Sequence, residues 1–452
     1  MERVDVVVVG GGPAGTAAAK AAADGGADAV VFEKGVPRED REGDGADSTD
    51  AAGILDYWVD LMGFDPDEIP EELIYRELDG AEFIGPTERV AMEGTGIDAS
   101  YPHFGFTYDR AGFDDWMRER AGAAGADYRI GAVRDVETTP GGDPTHEVVL
   151  ADGSSVGADA LILADGPQRT VTLDILRAFL DGIDERLDST RVNHIAYQEY
   201  RRFPEGVFEP STLKFWWGYI PGHTAYPWVF PNDDTVARVG LTMPIGLDLS
   251  TVEDREEYAL LRPGDDRVPA GGEYIRRLLE TAYPGYDLDD FPLVEGRGKN
   301  GGTETYPISS TRPIDSPTGA NVAITGGAMG ATSAFHEGGG HLAVRTGKIA
   351  GDLAARGDLD RYNDAWKAAV GEEIRRNVAM ADLVRDYGPG DWDRAFRTAR
   401  RVLESAGTGT AAFRHPIGVG WRGLSLAAGY YRRKYGYRDG RYVQIREREY
   451  EY

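Results

Sequence analysis

Residues 6–33 read VVVVGGGPAGTAAAKAAADGGADAVVFE, and this stretch decides the fold. A valine-rich run, Arg3 to Val9, comes first and is typical of a strand buried on both faces of a parallel sheet. A glycine-rich loop leads into an alanine-rich segment, which favours a helix up to Gly25-Gly26. A second apolar run, Ala29 to Phe32, ends at the acidic residue Glu33. The order strand, loop, helix, strand predicts a βαβ unit and an α/β fold.

The loop GGGPAG, at residues 10–15, matches the pattern G-x-G-x-x-G. Gly10 allows a tight turn, Gly12 lets the backbone approach a pyrophosphate, and Gly15 lets the helix pack against the strand. The helix that follows offers free N–H groups and a positive dipole end to phosphates. Glu33, at the end of the second strand, is placed to accept hydrogen bonds from the adenosine ribose. The sequence therefore predicts a dinucleotide site, and its position at the start of a long chain favours FAD over NAD.

The charge balance is strongly acidic, with 77 Asp and Glu against 49 Lys and Arg and a net charge of −28. We interpret this as a surface adapted to high salt, where dense carboxylates preserve hydration, rather than as a site for a basic partner. Phosphate contacts need clustered basic residues, so nucleic acid is excluded as a partner. The absence of cysteine excludes disulfides, thiolate metal ligands and a cysteine acid, and no metal site is predicted.

A chain of 452 residues is too long for one compact core and predicts two or three domains. No apolar run approaches the roughly 20 residues that span a bilayer. The N-terminus lacks the basic region of a signal peptide, because Met1-Glu2-Arg3 leads directly into the first strand. We therefore expect a cytoplasmic protein, and peripheral contact with the inner face of the cell membrane stays open.

Three further blocks follow the glycine loop along the chain. Tyr108-Asp109-Arg110 precedes a predicted helix from about Gly112 to Gly125, which leads into a predicted strand near Tyr128 to Val136. Leu161 to Gly166 is predicted to be a buried strand that ends in an Asp-Gly turn, and Asn321 to Gly330 a strand followed by a glycine-dense loop. Together with the glycine loop, these blocks resemble the flavin-dependent family that holds geranylgeranyl reductases, FixC-type dehydrogenases and aromatic-ring hydroxylases. The resemblance covers the chain from about Val4 to Gly351.

The resemblance implies FAD as the cofactor and indicates which positions contact it. These positions are Gly10, Gly12, Ala14, Gly15, Glu33, Ala46, Arg110, Val133, Asp165, Gly166, Gly327, Gly339 and Gly340. Two of the motifs are altered here, since Gly327 replaces the aspartate of the third block and Arg169 stands where the family has a serine. Loss of that aspartate removes a charge-assisted hydrogen bond worth about 1.5–3 kcal/mol. His336 and Glu337 lie beside the flavin in this alignment, where they either relay a proton or form a loop without that role.

The stretch YPWVFP at residues 226–231 predicts the substrate site. Its alternation places Tyr226, Trp228 and Phe230 on one face of a strand. It resembles an element of geranylgeranyl reductases that lines the prenyl-chain cavity, with Thr242 replacing a glycine of that element. Trp217 and Tyr219, just upstream, add aromatic surface that suits a long apolar ligand. The alternative is an aromatic sheet core that binds no ligand.

We expect a Rossmann-type FAD-binding domain, an inserted antiparallel β-sheet domain for the substrate, and a helical C-terminal region. The FAD-binding domain is predicted to be discontinuous, built from residues 1–75, 101–190 and 300–356. The sheet domain is assigned to residues 76–100 and 191–299, and the helical region to residues 357–452.

The predicted function is FAD-dependent saturation of the double bonds of a geranylgeranyl chain on a lipid or quinone. The chain has a single G-x-G-x-x-G loop, so the reductant is external, either a ferredoxin-like carrier or transiently docked NADPH. A flavin monooxygenase of an apolar substrate, a FixC-like electron-transfer flavoprotein and a flavin-fold binding protein are the alternatives.

The C-terminal tail reverses the charge of the chain. From Arg394 to Tyr452 there are 13 basic and 5 acidic residues, with aromatic residues interleaved. Basic residues beside aromatic anchors suit an anionic membrane surface. The alternative is a tail that pairs with the acidic surface of the protein itself.

Overall fold

A computed structural model describes residues 1–35, 51–139, 141–143, 145–186, 193–309, 312–406 and 420–452. The strands are, in chain order, β1 (Glu2–Val9), β2 (Ala29–Glu33), β3 (Gly53–Leu55), β4 (Ile74–Leu78), β5 (Gly80–Ile84), β6 (Arg89–Met92), β7 (Gly105–Tyr108), β8 (Asp127–Ile130), β9 (Val133–Thr138), β10 (His146–Leu150), β11 (Ser155–Leu163), β12 (His194–Arg202), β13 (Thr212–Trp216), β14 (Tyr226–Pro231), β15 (Val236–Pro244), β16 (Thr303–Ile308) and β17 (Val322–Ile324). The helices are α1 (Pro13–Asp24), α2 (Asp56–Met62), α3 (Arg110–Ala123), α4 (Thr170–Phe179), α5 (Ile183–Arg186), α6 (Gly271–Ala282), α7 (Gly326–Met329), α8 (Gly340–Ala355), α9 (Tyr362–Val384), α10 (Pro389–Ala406) and α11 (Gly420–Gly436).

The first sheet has the strand order β8-β2-β1-β11-β10-β9, with β17 added beside β11. Strands β8, β2, β1, β11 and β17 run parallel, so their carboxyl ends meet at one edge of the sheet. Backbone hydrogen bonds join these ends, from Ala164 N to Val9 O and from Thr325 N to Leu163 O, each 2.8 Å long. The predicted Rossmann-type α/β fold is confirmed. This edge carries three turns that contain the cofactor motifs: the first is the glycine loop at residues 10–15, the second is Asp165-Gly166, and the third is Gly326-Gly327.

One predicted strand is wrong. The sequence pattern from Tyr128 to Val136 suggested a single strand, but the structure has two, β8 and β9, separated by Gly131 and Ala132. Strand β8 pairs with β2, whereas β9 pairs with β10 at the other end of the strand order. The antiparallel part of the sheet therefore folds back over the parallel part.

The second sheet has the strand order β16-β12-β15-β14-β13-β5-β6. Neighbouring strands run antiparallel except β13 and β5, which are parallel. One face packs against α6 through a cluster that includes Trp216, Val229 and Leu278. The other face presents Trp217, Tyr226 and other aromatic residues toward the loop between α7 and α8. A small sheet of order β3-β7-β4 is the third sheet.

The C-terminal region is mainly helical up to α11, as predicted, but its last residues return to the first sheet. Tyr442, Val443 and Ile445 are buried in the same core as β1 and β11. Backbone hydrogen bonds of 2.8 Å run from Asp315 N to Ile445 O and from Gln444 N to Pro313 O. Within the part of the chain that the structure describes, no helix is long and apolar enough to cross a membrane.

Candidate active site

The glycine loop at the start of α1 leaves room for a phosphate. Gly10 has φ +100°, and a Cβ on Gly15 would lie 1.8 Å from the Gly10 carbonyl oxygen, so both positions require glycine. Gly12 faces open space, with nothing within 4 Å of an added Cβ. It is also the N-cap of α1, and no side chain caps the helix there. The first N–H groups of α1, which include that of Ala14, are therefore available to an anion.

Glu33 closes the other side of this loop. Its carboxylate accepts hydrogen bonds of 2.7 Å from the backbone N–H groups of Gly11 and Gly35. A carboxylate has about four acceptor positions, so two stay available for ribose hydroxyls. Val133, another predicted contact, begins β9 three residues after Ile130, which pairs with Glu33. Ala46 lies outside the described residues.

Arg110 lies at the start of α3 and is 5% exposed. Its Nε donates to Asp114 Oδ1 at 3.0 Å, one helical turn further on. A buried arginine paired in this way is held in one orientation, because breaking the pair would leave a charge buried without its partner. Contact between Arg110 and the cofactor stays a prediction.

In the second turn, the Asp165 side chain binds the start of α4, and its predicted contact with the cofactor stays a prediction. Its carboxylate accepts from Val171 N at 2.8 Å and from Thr172 N at 3.1 Å, and the Thr172 hydroxyl also donates to it. Asp165 therefore stabilises the start of α4, and burial raises the pKa of this carboxyl. The side chain is occupied by the fold, so backbone groups at Gly166 are the better candidates for cofactor contact.

Arg169 is a residue whose surroundings the sequence did not indicate. It is 1% exposed, and its Nε donates to the carbonyl oxygen of Ala328 at 2.6 Å. This bond ties the second turn to the third, because Ala328 belongs to α7. Among the described residues, Nη1 and Nη2 have no hydrogen-bond partner, and burial lowers the pKa of Arg169 to about 10.

The third turn, at Gly326 and Gly327, packs against the first two. A Cβ on Gly326 would lie 2.8 Å from the Ala14 side chain. A Cβ on Gly327 would lie 3.1 Å from Pro167 Cδ and 3.5 Å from the Gly166 carbonyl carbon. The structure thus brings the glycine loop, the Asp-Gly turn and the altered third motif to one edge of the sheet, in agreement with the family resemblance, which assigns all three to one cofactor.

Three rings are stacked beside the start of α8. Trp58 stacks with both His336 and His341. Its ring centroid is 6.1 Å from that of His336 and 4.4 Å from that of His341. His341 Nε2 is 2.6 Å from Glu373 Oε1, and Arg345 donates to the other oxygen of Glu373 at 2.9 Å. Burial is the main reason that the pKa of His336 falls to about 4, so His336 is neutral at pH 7. Gly339 and Gly340, which are predicted to contact the flavin, lie between the two histidines in the chain, and Gly340 faces open space.

Glu337 points from this loop toward the second sheet. Its side chain is 2% exposed. The hydroxyl of Thr224 donates to Oε1 at 2.9 Å, and the hydroxyl of Thr242 donates to Oε2. His194 Nε2 lies 3.3 Å from Oε1. The sequence suggested Glu337 and noted Thr242 only as a departure from a motif, and it gave no signal for Thr224 or His194.

Four of the five predicted substrate residues lie on one face of the second sheet. Tyr226 and Trp217 stack with centroids 4.3 Å apart, and Phe335 stacks on the far side of Trp217 at 5.3 Å. Trp228 and Phe230 belong to the same buried cluster. Tyr219 does not, because it lies in the cluster on the opposite face, with its hydroxyl 3.5 Å from the Gly85 carbonyl oxygen. The aromatic side chains pack on one another, so a ligand would have to displace some of them.

These features fit FAD. Gly12 faces open space in front of the uncapped start of α1. Glu33, 22 residues after Gly11, accepts a hydrogen bond from the backbone N–H of that residue in the glycine loop. Bound and reduced FAD supplies hydride chemistry.

Comparison with known proteins agrees with this assignment. Residues 5–75 match the FAD binding domain family. The chain is an FAD-dependent oxidoreductase with a Rossmann-type cofactor fold. It is similar to digeranylgeranylglycerophospholipid reductase 2 of Methanopyrus kandleri, with 27% identity over 395 residues that cover 82% of this chain and 84% of that protein. The resemblance to the geranylgeranyl reductase family that the sequence predicted is thereby confirmed.

Three further proteins extend the comparison. The menaquinone reductase of Mycolicibacterium smegmatis is 27% identical over 403 residues, which cover 84% of this chain and 83% of that protein. A geranylgeranyl bacteriochlorophyll reductase-like protein of Thermoplasma acidophilum has the same fold, with a TM-score of 0.72 at 21% identity over 95% of this chain and all of that one. A flavin-dependent brominase has a TM-score of 0.60 at 16% identity over 96% of this chain and all of that one.

Proposed function

We propose that this protein reduces isolated double bonds in the prenyl chain of a lipid or quinone. The observation that carries the proposal is the contact between the aromatic face and the loop beside the flavin site. The Tyr226 hydroxyl donates to the His336 carbonyl oxygen, so the face that contains Trp217 and Trp228 adjoins the loop before α8. Relatives named for reduction of digeranylgeranylglycerophospholipid and menaquinone support a prenylated substrate.

The aromatic face explains how such a substrate would bind. Each buried CH₂ of a prenyl chain contributes about 0.8 kcal/mol before ordering costs. Tyr226, Trp228 and Phe230 are all under 10% exposed, so they would supply apolar area to the chain only after it displaces some of the aromatic side chains packed on them. Affinity does no chemistry by itself, so one alkene must lie about 3–3.5 Å from the reactive atom of the flavin. We assign this positioning to Trp217 and Tyr226, which contact the loop that carries His336.

The reductant is proposed to be external, a ferredoxin-like carrier or transiently docked NADPH. Among the described residues, the G-x-G-x-x-G loop at the start of α1 is the one dinucleotide loop. Reduction of the flavin and reduction of the lipid would then be two separate half-reactions, which can be measured independently.

The test mixes chemically reduced holoenzyme with geranylgeranylated lipid under nitrogen and follows flavin reoxidation and product mass. We expect a gain of about two mass units for each double bond reduced, since saturation adds two hydrogens. Trp228→Ala should keep FAD but slow lipid-dependent reoxidation. The matched control is Trp216→Ala, at an equally buried tryptophan on the opposite face of the same sheet.

The same assay separates the alternatives. A product that forms only in air would indicate a monooxygenase, and electron transfer to a carrier without any change in the lipid would indicate a FixC-like flavoprotein. Lack of bound flavin in the purified protein would favour a flavin-fold binding protein.

We also propose peripheral membrane contact through the end of α11, in a cytoplasmic protein. Tyr431 and Tyr435, one helical turn apart, are 58% and 66% exposed. The Arg438 guanidinium lies 3.8 Å from the centroid of the Tyr435 ring. Other basic residues of the tail pair with the acidic surface of the protein, as Arg397 does with Glu88 at 2.7 Å. Within the residues whose side chains the structure describes, we therefore propose the exposed tyrosines and the arginines beside them as the membrane-facing part.

A further inference from the structure

Saturating a double bond with a hydride also consumes a proton, and the structure has a buried group suited to holding it. The candidates are His336 and Glu337, which belong to the loop between α7 and α8, beside the predicted flavin site. The His336 ring is mostly buried, which lowers its pKa to about 4 and leaves it without an exchangeable extra proton at neutral pH. Glu337 differs, because hydroxyl and imidazole groups surround its carboxylate.

Two strained residues meet at this carboxylate. Glu337 has φ +60° and Thr224 has φ +55°, a region that is rare for residues other than glycine and especially unfavourable for a β-branched side chain. The two are joined by the hydrogen bond between Thr224 Oγ1 and Glu337 Oε1. Backbone strain of this kind costs about 1–3 kcal/mol per residue and persists where the surrounding contacts enforce it. The geometry of this contact is therefore fixed by the fold on both sides.

Glu337, Thr224, Thr242 and His194 form a hydrogen-bonded cluster. This cluster accommodates the Glu337 carboxyl group in either protonation state. The Thr224 hydroxyl has one proton and two acceptors within reach, Glu337 Oε1 at 2.9 Å and the His223 carbonyl oxygen at 2.8 Å. When Glu337 is ionised, Thr224 donates to it. When Glu337 is protonated, Glu337 can donate to Thr224 Oγ1, and Thr224 then donates to the His223 carbonyl oxygen. No hydrogen-bonding group loses its partner in the exchange, which a buried polar group requires.

His194 completes the cluster on the side of the second sheet. The Asn193 side chain nitrogen is 2.8 Å from His194 Nδ1, so it donates there and the imidazole proton lies on Nε2. Nε2 lies 2.9 Å from the His223 carbonyl oxygen and 3.3 Å from Glu337 Oε1. Burial lowers the pKa of His194, so the ring is a neutral N–H donor at pH 7. The half-buried His223 ring, 6.3 Å from that of His194, is the next titratable group toward the surface.

Resting on the proposed function, we infer that Glu337 holds the proton that is delivered when the double bond is reduced, with Thr224, Thr242 and His194 as its positioning residues. Hydride and proton add to the two alkene carbons, the flavin is oxidised by two electrons, and Glu337 is left ionised until it regains a proton from solvent. The other titratable groups that face this cluster are Tyr226 on β14 and His336 on the same loop.

The test measures lipid-dependent reoxidation of the reduced holoenzyme from pH 5 to 9. For the wild type we expect the rate to fall at high pH, because the ionised carboxylate has no proton to give. Glu337→Gln should lower the rate at least about 100-fold, as expected for loss of a general acid, and should abolish the pH dependence while flavin reduction by dithionite is unchanged. Thr242→Val should move the fall to higher pH, because its hydroxyl bond favours the ionised carboxylate.

The matched control is Glu304→Gln, which neutralises another buried carboxylate of the same sheet, one that accepts from Gln198 at 2.6 Å. It should keep the wild-type pH dependence. A Glu337→Gln rate within threefold of wild type, with the same pH dependence, would overturn the inference.

A second measurement does not depend on the substrate. The infrared difference spectrum of the holoenzyme between low and high pH should contain a carboxylic acid band that Glu337→Gln lacks and Glu304→Gln keeps. Absence of this band in the wild type contradicts the inference about Glu337. Presence of the band without any lipid reduction contradicts the proposed function and leaves the proton-holding role supported.

Discussion

Trp58 and His341 stack face to face, with ring centroids 4.4 Å apart and an interplanar angle of 12°. The pair joins α2 to the first turn of α8, and His336 lies against the same indole at 6.1 Å. Burial opposes ionisation of the neighbouring Glu373, but the His341 hydrogen bond and the nearby Arg345 and Arg376 guanidinium groups outweigh it and hold the pKa of Glu373 at about 2. The neutral His336 and the ionised Glu373 therefore lie within one small cluster, and the protonation state of each depends on the fold.

The buried His336 should make the protein sensitive to mild acid. Its pKa is about 4 in the folded state against 6.5 for the free side chain, so the unfolded state binds more protons between these values. Stability is complete above about pH 6.5 and is lost as the pH falls toward 4. Between pH 7 and pH 5 this one residue should cost about 2 kcal/mol of unfolding free energy. Urea unfolding of the apoprotein at the two pH values measures the loss.

The variant His336→Phe keeps a ring against Trp58 and cannot titrate, so its loss between pH 7 and pH 5 should be smaller by about 2 kcal/mol. The control is His103→Phe, at a histidine that is 36% exposed and pairs with Glu77 on the surface. If His336→Phe loses as much stability as the wild type, His336 is protonated in the folded state and the burial argument is wrong.

Gly12→Val should abolish FAD binding without unfolding the protein. An added Cβ at Gly12 meets nothing within 4 Å, so the fold tolerates it, while the space in front of the helix is filled. The ratio of flavin to protein absorbance after gel filtration reports the loss. Gly264→Val is the matched control, because Gly264 also faces open space but lies far along the chain in an exposed loop. Full flavin content in Gly12→Val would contradict the assignment of the loop.

Glu33→Ala should weaken FAD binding by about ten- to a hundred-fold, since hydrogen bonds to charged groups are worth about 1.5–3 kcal/mol. Part of this loss comes from the loop itself, because Glu33 also holds the N–H groups of Gly11 and Gly35. Glu33→Gln keeps an acceptor and should lose less. Equal dissociation constants for the wild type and Glu33→Ala in a flavin fluorescence titration would show that the carboxylate has no part in binding.

Gly327→Asp should tighten FAD binding, because it restores the aspartate that the family motif has at this position. The side chain must first displace Pro167, whose Cδ lies 3.1 Å from the added Cβ. Gly327→Ala measures that steric cost alone, so the comparison is between Asp and Ala. A weaker affinity for the Asp variant than for the Ala variant would mean that the third turn no longer has the geometry of the family.

Replacing Tyr431 and Tyr435 by serine should reduce binding to anionic vesicles. These tyrosines are the exposed aromatic anchors of α11, and the flanking arginines contribute about 1 kcal/mol each near an anionic surface. Co-sedimentation with phosphatidylglycerol vesicles in moderate salt measures the effect. Ile130→Ser removes an exposed apolar residue, 47% exposed, on the first sheet and should leave binding unchanged. Unaltered sedimentation of the double tyrosine variant would contradict membrane contact and support the alternative, in which the basic tail pairs with the acidic surface of the protein.

The sequence predicted the parts of the fold that depend on local pattern. The buried strand β1, the alanine-rich α1 and the glycine loop between them match the structure almost to the residue. The break at Gly131 was missed because Tyr128 to Val136 contains no proline and only this one glycine, so its sequence does not mark the end of the first strand clearly. Only the pairing partners, β2 for one half and β10 for the other, distinguish the two strands.

The candidate site was predictable only where the chemistry is written in a contiguous motif. The positions around Gly12 and Glu33 were found in this way. Thr224 and His194 were not, because their importance comes from tertiary contact with Glu337, which lies more than 100 residues further along the chain. A positive φ at a threonine has no sequence signature. Tyr219 was misplaced in the predicted substrate face because the chain leaves the strand after Trp216, and alternation no longer decides which side it faces.

The parallel edge of the first sheet also determines when the enzyme can be completed during its synthesis. Strand β1 is translated before its partner β11, which ends at Leu163, and well before β17, which ends at Ile324. Helix α8, which packs along α1, is made later still. Strands β2 and β11 can pair with β1 before most of the second sheet is made, but α1 must wait for α8, and the edge of β11 for β17, until residues 194–308 have been translated. Coenzyme capture is therefore a late event in biogenesis, and truncated products of translation would be released without it.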